Sequence, residues 1–176
     1  MRGYCSGDMK RYRITNRQYN SKNCFICGLE NNYGLKARFY ETEGKEVIAV
    51  CTPQKEHRSY PNTTHGGVTA ALLGETIVRA ICAHYGDMVW GVMMELNIKY
   101  RKQVPYDSEV KIIGRITRDN GRLFEGEGEL ICDGRAAASA MGLYMKSDIV
   151  RLGGENFVDD EWGFIDEENM PEEIEL

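Results

Sequence analysis

Leu35 to Glu41 alternates apolar and polar side chains well enough for a strand, Gly44 punctuates the chain, and Glu46 to Thr52, EVIAVCT, reads as a second strand. The period then changes. Between Gly66 and Gly86, Val68, Ala71, Leu72, Glu75, Arg79 and Cys82 share one helical face, and Ala70, Leu73, Ile77 and Ile81 share another. Apolar residues on more than one side predict a long helix buried on more than one side, which a curved sheet would cover. Four further strands are predicted at Trp90 to Tyr100, Glu109 to Thr117, Leu123 to Cys132 and Ala136 to Met145. Asp119-Asn120-Gly121 and Asp133-Gly134 supply hairpin turns between the last three. The predicted fold is therefore α+β, one long central helix wrapped by a curved antiparallel sheet of about five to six strands. Thr63 or Thr64 could cap the helix, and Gly86 could end it.

Composition adds boundaries. At 176 residues the chain suits one globular domain with a substantial core. Residues 1–23 hold Arg2, Lys10, Arg11, Arg13, Arg17 and Lys22 against Asp8 alone, whereas residues 154–176 hold ten acidic residues and no cation. We therefore read 1–23 as a basic arm, 24–150 as the domain and 151–176 as an acidic tail. Such ends are most often solvated, although these two could also pair with each other. The cysteines at 5, 24, 27, 51, 82 and 132 are scattered through mostly apolar segments, as expected of reduced core thiols. No apolar run reaches the roughly 18 residues of a membrane span, and the start lacks a signal-peptide core, so a cytoplasmic protein is expected. Neither a membrane nor a nucleic acid is expected as a partner.

Candidate chemistry begins at His65-Gly66-Gly67. These residues stand at the helix start, where unpaired N–H groups and the helix dipole favour negative charge, so the step could hold an oxyanion.

The runs CFICG, GLKARFY, EHRSYPNTTHGGVTAALLGE and LNIKYRKQVPYDSEVKIIGRI, in that order between residues 24 and 146, resemble the hotdog-fold acyl-CoA thioesterases of the phenylacetate-degradation, PaaI-like type. The resemblance implies a helix wrapped by an antiparallel sheet, a homodimer joined edge to edge and often a dimer of dimers. It also implies active sites at the dimer interface. It assigns His65 to positioning or polarising the thioester and the Gly66 N–H to the oxyanion. The carboxylate that the family usually carries nine residues after the histidine is Gly74 here, and Glu75 follows it. One residue turns a helix by about 100°, so two readings of Glu75 stay open. A π-bulge could bring it round as nucleophile or base, or it could pair with Arg79 at i,i+4.

Weaker candidates surround the step. Asn62 and Ser59 could bond substrate or water, or simply shape the turn, and Gly67 is the second glycine of the step. His57, Arg58, Arg101 and Lys102 could meet CoA phosphates or remain solvent charges. Cys24 and Cys27 have the spacing of half a zinc site, but no second pair follows. Structural thiols are the default, and neither metal nor cofactor is expected. The leading functional expectation is hydrolysis of acyl-CoA to free acid and CoA. The alternative is a non-catalytic acyl-CoA binding or sensing module that lost its carboxylate at Gly74.

Overall fold

The computed structural model describes residues 10–156, 161–163 and 170–176. In chain order its elements are β1 (Arg11–Arg17), β2 (Asn20–Ser21), β3 (Arg38–Thr42), β4 (Val47–Cys51), α1 (Gly66–Tyr85), β5 (Val89–Tyr100) and β6 (Val110–Asp119). After them come β7 (Leu123–Cys132), β8 (Arg135–Asp148), α2 (Ile149–Gly153), β9 (Trp162–Gly163) and β10 (Glu173–Glu175). The two strands, helix and four strands predicted from hydrophobic periodicity are thus all present.

Eight strands form one antiparallel sheet in the order β10-β1-β3-β4-β6-β7-β8-β5. α1 packs across its inner face, with Leu72, Leu73, Ile77 and Ile81 fully buried. The approach is close enough to dictate sequence. A Cβ on Gly114 would come within 2.6 Å of Thr76 O, and one on Gly126 within 2.5 Å of Ile77 Cγ2. Glycine in these two strands lets the helix settle onto the sheet. By length and composition α1 could also cross a membrane, but here it is the core helix.

The sheet has more strands than the five to six expected, because both chain ends enter it. β1 pairs β10, setting Arg11 opposite Glu175, and Arg11 Nε donates to Glu175 Oε1 at 2.6 Å. Of the two readings left open for the charged ends, the structure shows the second where they are described: the acidic and basic segments pair with each other. The physical reason is apolar: Ile14 and Ile174 join Tyr40, Ile48, Val50 and Ile113 in a second cluster apart from the main core. A single isoleucine in each of these two strands is a faint signal. β9 adds a second contact, pairing with β2 and stacking Trp162 on Tyr19 at 4.9 Å. Cys5 lies outside the described residues; Cys24, Cys27, Cys51, Cys82 and Cys132 are free thiols.

Candidate active site

The loop before α1 is a closed structure. His65 N–H donates to His57 O at 2.8 Å, Ser59 N–H to Thr63 O at 2.9 Å, and Thr64 N–H to Val104 O at 2.7 Å. Asn62 takes a positive φ of 60°, the backbone of a turn-former. Neither threonine caps the helix. Thr64 is buried and its hydroxyl donates to Pro105 O at 3.2 Å, so His65 takes the cap position instead.

That substitution organises the helix start. His65 Nδ1 accepts the Gly67 N–H at 2.9 Å, and His65 O accepts Val68 N–H at 2.9 Å and Thr69 N–H at 3.1 Å. The Gly66 N–H is left with no acceptor among the described residues. It is a free donor at the positive end of a 20-residue helix. Because Nδ1 is an acceptor, a neutral His65 ring carries its proton on Nε2 and offers a second outward donor. Gly67 permits this arrangement, since a Cβ there would lie 3.0 Å from His65 Nδ1. Tyr100 Oη donates to Gly66 O at 2.8 Å, tying the same peptide unit to the end of β5.

A groove of about 420 Å³ opens beside this turn, with Ser59, Gly66, Tyr100, Arg101 and Lys102 among the residues that line it. Of the predicted site residues, Ser59, Gly66 and Arg101 therefore meet there. His65 and Gly67 flank Gly66 on the exposed first turn, while Arg58 and Asn62 stay in the exposed loop away from the lining. Arg101 is held by a bond from Nη1 to Ser139 Oγ at 2.7 Å. His57 does not face a ligand. It is buried, its Nδ1 accepts Gln54 N–H at 2.8 Å and its Nε2 meets Tyr33 O at 2.9 Å, so it braces the loop. Tyr100 was missed by sequence reasoning. Its only signal was its place just before Arg101 at a strand end.

Glu75 lies elsewhere. α1 is α-helical from end to end without a π-bulge, and Glu75 Oε1 accepts from Arg79 Nε at 2.8 Å. Nine residues of helix put it roughly 13 Å along the axis from Gly66. Arg79 is buried, and its Nη1 donates to Tyr19 O at 2.9 Å and its Nη2 to Cys27 Sγ at 3.2 Å. Its guanidinium lies 4.0 Å from the Phe39 ring centre. Burial works against this cation, yet Glu75 and Cys27 outweigh it and hold its pKa raised. The neighbouring thiols diverge. A hydrogen bond from Cys24, opposed by burial and aided by Arg79, lowers the Cys27 pKa, while that same bond and burial push Cys24 up. At Gly74 the space for a side chain is taken by Met93, whose Cε a Cβ would strike. Tyr144 Oη donates to Gly74 O at 3.1 Å.

Residues 61–139 match the model of the family described as the thioesterase superfamily. The crystal structure of a thioesterase superfamily protein superposes with a TM-score of 0.63 at 23% identity. The match covers 70% of this chain and 63% of that one, so the chain spans less than two thirds of that relative. A mutant of the phenylacetic acid degradation protein PaaI from Thermus thermophilus gives a TM-score of 0.51 at 18% identity, covering 57% and 84% of the two chains. A hypothetical thioesterase from Streptococcus pneumoniae, solved with coenzyme A, gives 0.53 at 16% identity, covering 58% and 82%. No curated protein matches the chain in sequence. The fold is the hotdog fold of these solved structures, and over residues 61–139 the expected resemblance to the thioesterase superfamily is borne out.

Proposed function

We propose that this protein hydrolyses acyl-CoA thioesters to free acid and CoA, working as a homodimer or a dimer of dimers. The observation that carries the reading is the Gly66 N–H, without an acceptor among the described residues, at the start of α1 and beside a groove that carries Arg101 and Lys102. A thioester carbonyl placed there accepts that N–H, and the negative charge that grows on its oxygen during attack meets the helix dipole. His65 Nε2–H orients or polarises the same group. Arg101 and Lys102 suit phosphate groups of CoA. The relative solved with coenzyme A agrees with this substrate class. Glu75 is engaged by Arg79, so water attacks with the oxyanion donor as the main source of acceleration, and turnover is slow. Purified protein mixed with a panel of acyl-CoAs and a thiol-detecting dye tests this. Release of CoA supports it, and no release from any ester removes it. Unchanged turnover in Glu75→Gln frees Glu75 from any catalytic role.

One observation favours a second reading, a non-catalytic acyl-CoA binding or sensing module. Gly74 lacks the expected carboxylate, and the thioether of Met93 fills its place. Tight binding of a CoA ester without hydrolysis would establish that reading.

A further inference from the structure

Cys24 and Cys27 sit on a turn that glycine alone can close. Gly28 N–H donates to Cys24 O at 2.8 Å, and a Cβ on Gly28 would collide with that carbonyl and with the backbone of Asn23. The turn aims its amides at sulfur. Cys24 Sγ accepts the N–H groups of Ile26 at 3.3 Å and Cys27 at 3.5 Å. Cys27 Sγ accepts Ser21 N–H at 3.4 Å and Arg79 Nη2 at 3.2 Å. Four N–H donors thus converge on two sulfurs, and those from Ser21 and Arg79 favour Cys27 as a thiolate.

A third donor comes from α1. Glu75 gives Oε1 to Arg79, which leaves Oε2 without a hydrogen bond among the described residues. One ligand atom from each of Cys24, Cys27 and Glu75 lies within 4.8 Å of the others. Zinc binds thiolate at about 2.3 Å and carboxylate at about 2.0 to 2.2 Å in a tetrahedron, and small side-chain adjustments bring these three atoms to that spacing.

We propose that Cys24, Cys27 and Glu75 bind one Zn²⁺ per chain, with water in the fourth position, and that the ion fastens the segment around Cys24 to the central helix. Charge closes the argument. Two thiolates and a carboxylate carry three negative charges, and Zn²⁺ with the Arg79 guanidinium carries three positive ones, so the cluster is neutral where burial makes neutrality matter. As two Zn–S bonds form, the two thiol protons pass to solvent, and Glu75 keeps Arg79 through its other oxygen. A Cys24–Cys27 disulfide fits less well. It would leave four N–H donors facing weak acceptors and give Glu75 no part. Cys24 and Glu75 are partly exposed, which gives the ion a way in. The proposal does not depend on thioester hydrolysis.

The test uses reduced full-length protein, stripped with a chelator and titrated without oxygen with Co²⁺ and then Zn²⁺. One Co²⁺ per chain is expected, with thiolate-to-cobalt charge-transfer absorption and tetrahedral ligand-field bands that Zn²⁺ abolishes. Cys27→Ser should lose the charge-transfer absorption. Glu75→Gln should keep it but bind Zn²⁺ at least about 10- to 100-fold more weakly, the range that losing even an outer-sphere partner costs. Cys27 is buried and its variant can misfold, so wild-type protein is also alkylated and mapped by mass spectrometry. Zn²⁺ should protect Cys24 and Cys27. A cobalt spectrum without thiolate bands, or equal alkylation of Cys24 with and without zinc, would overturn the proposal. So would one equivalent of Zn²⁺ bound as tightly by folded Cys27→Ser.

Discussion

Met93 covers Gly74: its Cε occupies the space a side chain at 74 would need, and Leu96 Cδ2 stands 3.4 Å from the same point. A carboxylate is expected there by the resemblance, and a thioether from the neighbouring strand fills the gap instead. The obstruction is the far end of a flexible side chain, so it can be removed. Gly74→Asp combined with Met93→Ala should raise acyl-CoA turnover, by up to the roughly 10²- to 10⁴-fold that a positioned base contributes. Steady-state kinetics with the best ester of the panel reads this. No gain in a folded double variant would show that turnover is not limited by the missing base.

The free amide at Gly66 can be deleted without touching the helix. Proline is tolerated at the first helical position, and His65 has φ −60° and ψ 135°, a conformation proper to a residue before proline. A Cβ at 66 meets nothing closer than Tyr100 Oη at 3.6 Å. Gly66→Pro should therefore keep the melting temperature and lose about 10²- to 10³-fold in kcat, while Gly66→Ala, which keeps the N–H, loses far less. Equal activity of the two variants would refute the oxyanion role.

Most of the fold could be read from periodicity and turns, because a 3.6-residue pattern followed by strand-like runs broken by hairpin turns leaves few arrangements that bury both. The His65 step was also legible, since Gly66 and Gly67 are local signals. What stayed hidden was long-range. The Glu75–Arg79 pair could be read from its i,i+4 spacing, but Cys27 is far from both in sequence, and nothing local announces that Arg79 reaches it. The pairing of β1 with β10 was equally faint, because charge dominates both segments and only Ile14 and Ile174 mark a buried side.

Arg79 is the stability centre of that hidden cluster. Its side chain is 3% exposed and its head group reaches Glu75, Cys27 and Tyr19 O. Arg79→Met removes one side of a mostly buried pair and should cost on the order of 3 kcal/mol or more in urea unfolding. Adding Glu75→Gln should recover part of the loss, because the stranded charge is then gone. Additive losses would mean that the two side chains do not act as a pair.

Asp119 links acid sensitivity to the far end of α1. A bond from Lys146 at 2.6 Å, with another from Tyr85 at 2.7 Å, lowers its carboxyl from an ordinary 3.8 to about 2. A depressed carboxylate contributes stability that is complete above its unfolded pKa and is lost as pH falls toward the folded one. Asp119→Asn should thus be less stable than wild type at about pH 6. The gap should narrow below about pH 4 and close near about pH 2. Unfolding midpoints across that range check the sign, and a gap that widens in acid would contradict it.

The two edges of the sheet differ in a way that bears on assembly. At one edge β10 is three residues long, whereas at the other β5 presents twelve, with no proline and with Met93 and Met94 exposed at 44% and 59%. Long unprotected edges invite another strand, and short ones do not. Two copies meeting along β5 about a two-fold axis would bring each residue near the axis close to its own copy, so one introduced charge acts twice. Met94→Glu should therefore shift the protein from dimer to monomer in sedimentation equilibrium, while Glu173→Lys at the opposite edge should leave the dimer intact. If the sites are completed at this interface, acyl-CoA turnover should fall with protein concentration in Met94→Glu and recover at high concentration. Full activity from a dilute monomer would place the whole site within one chain.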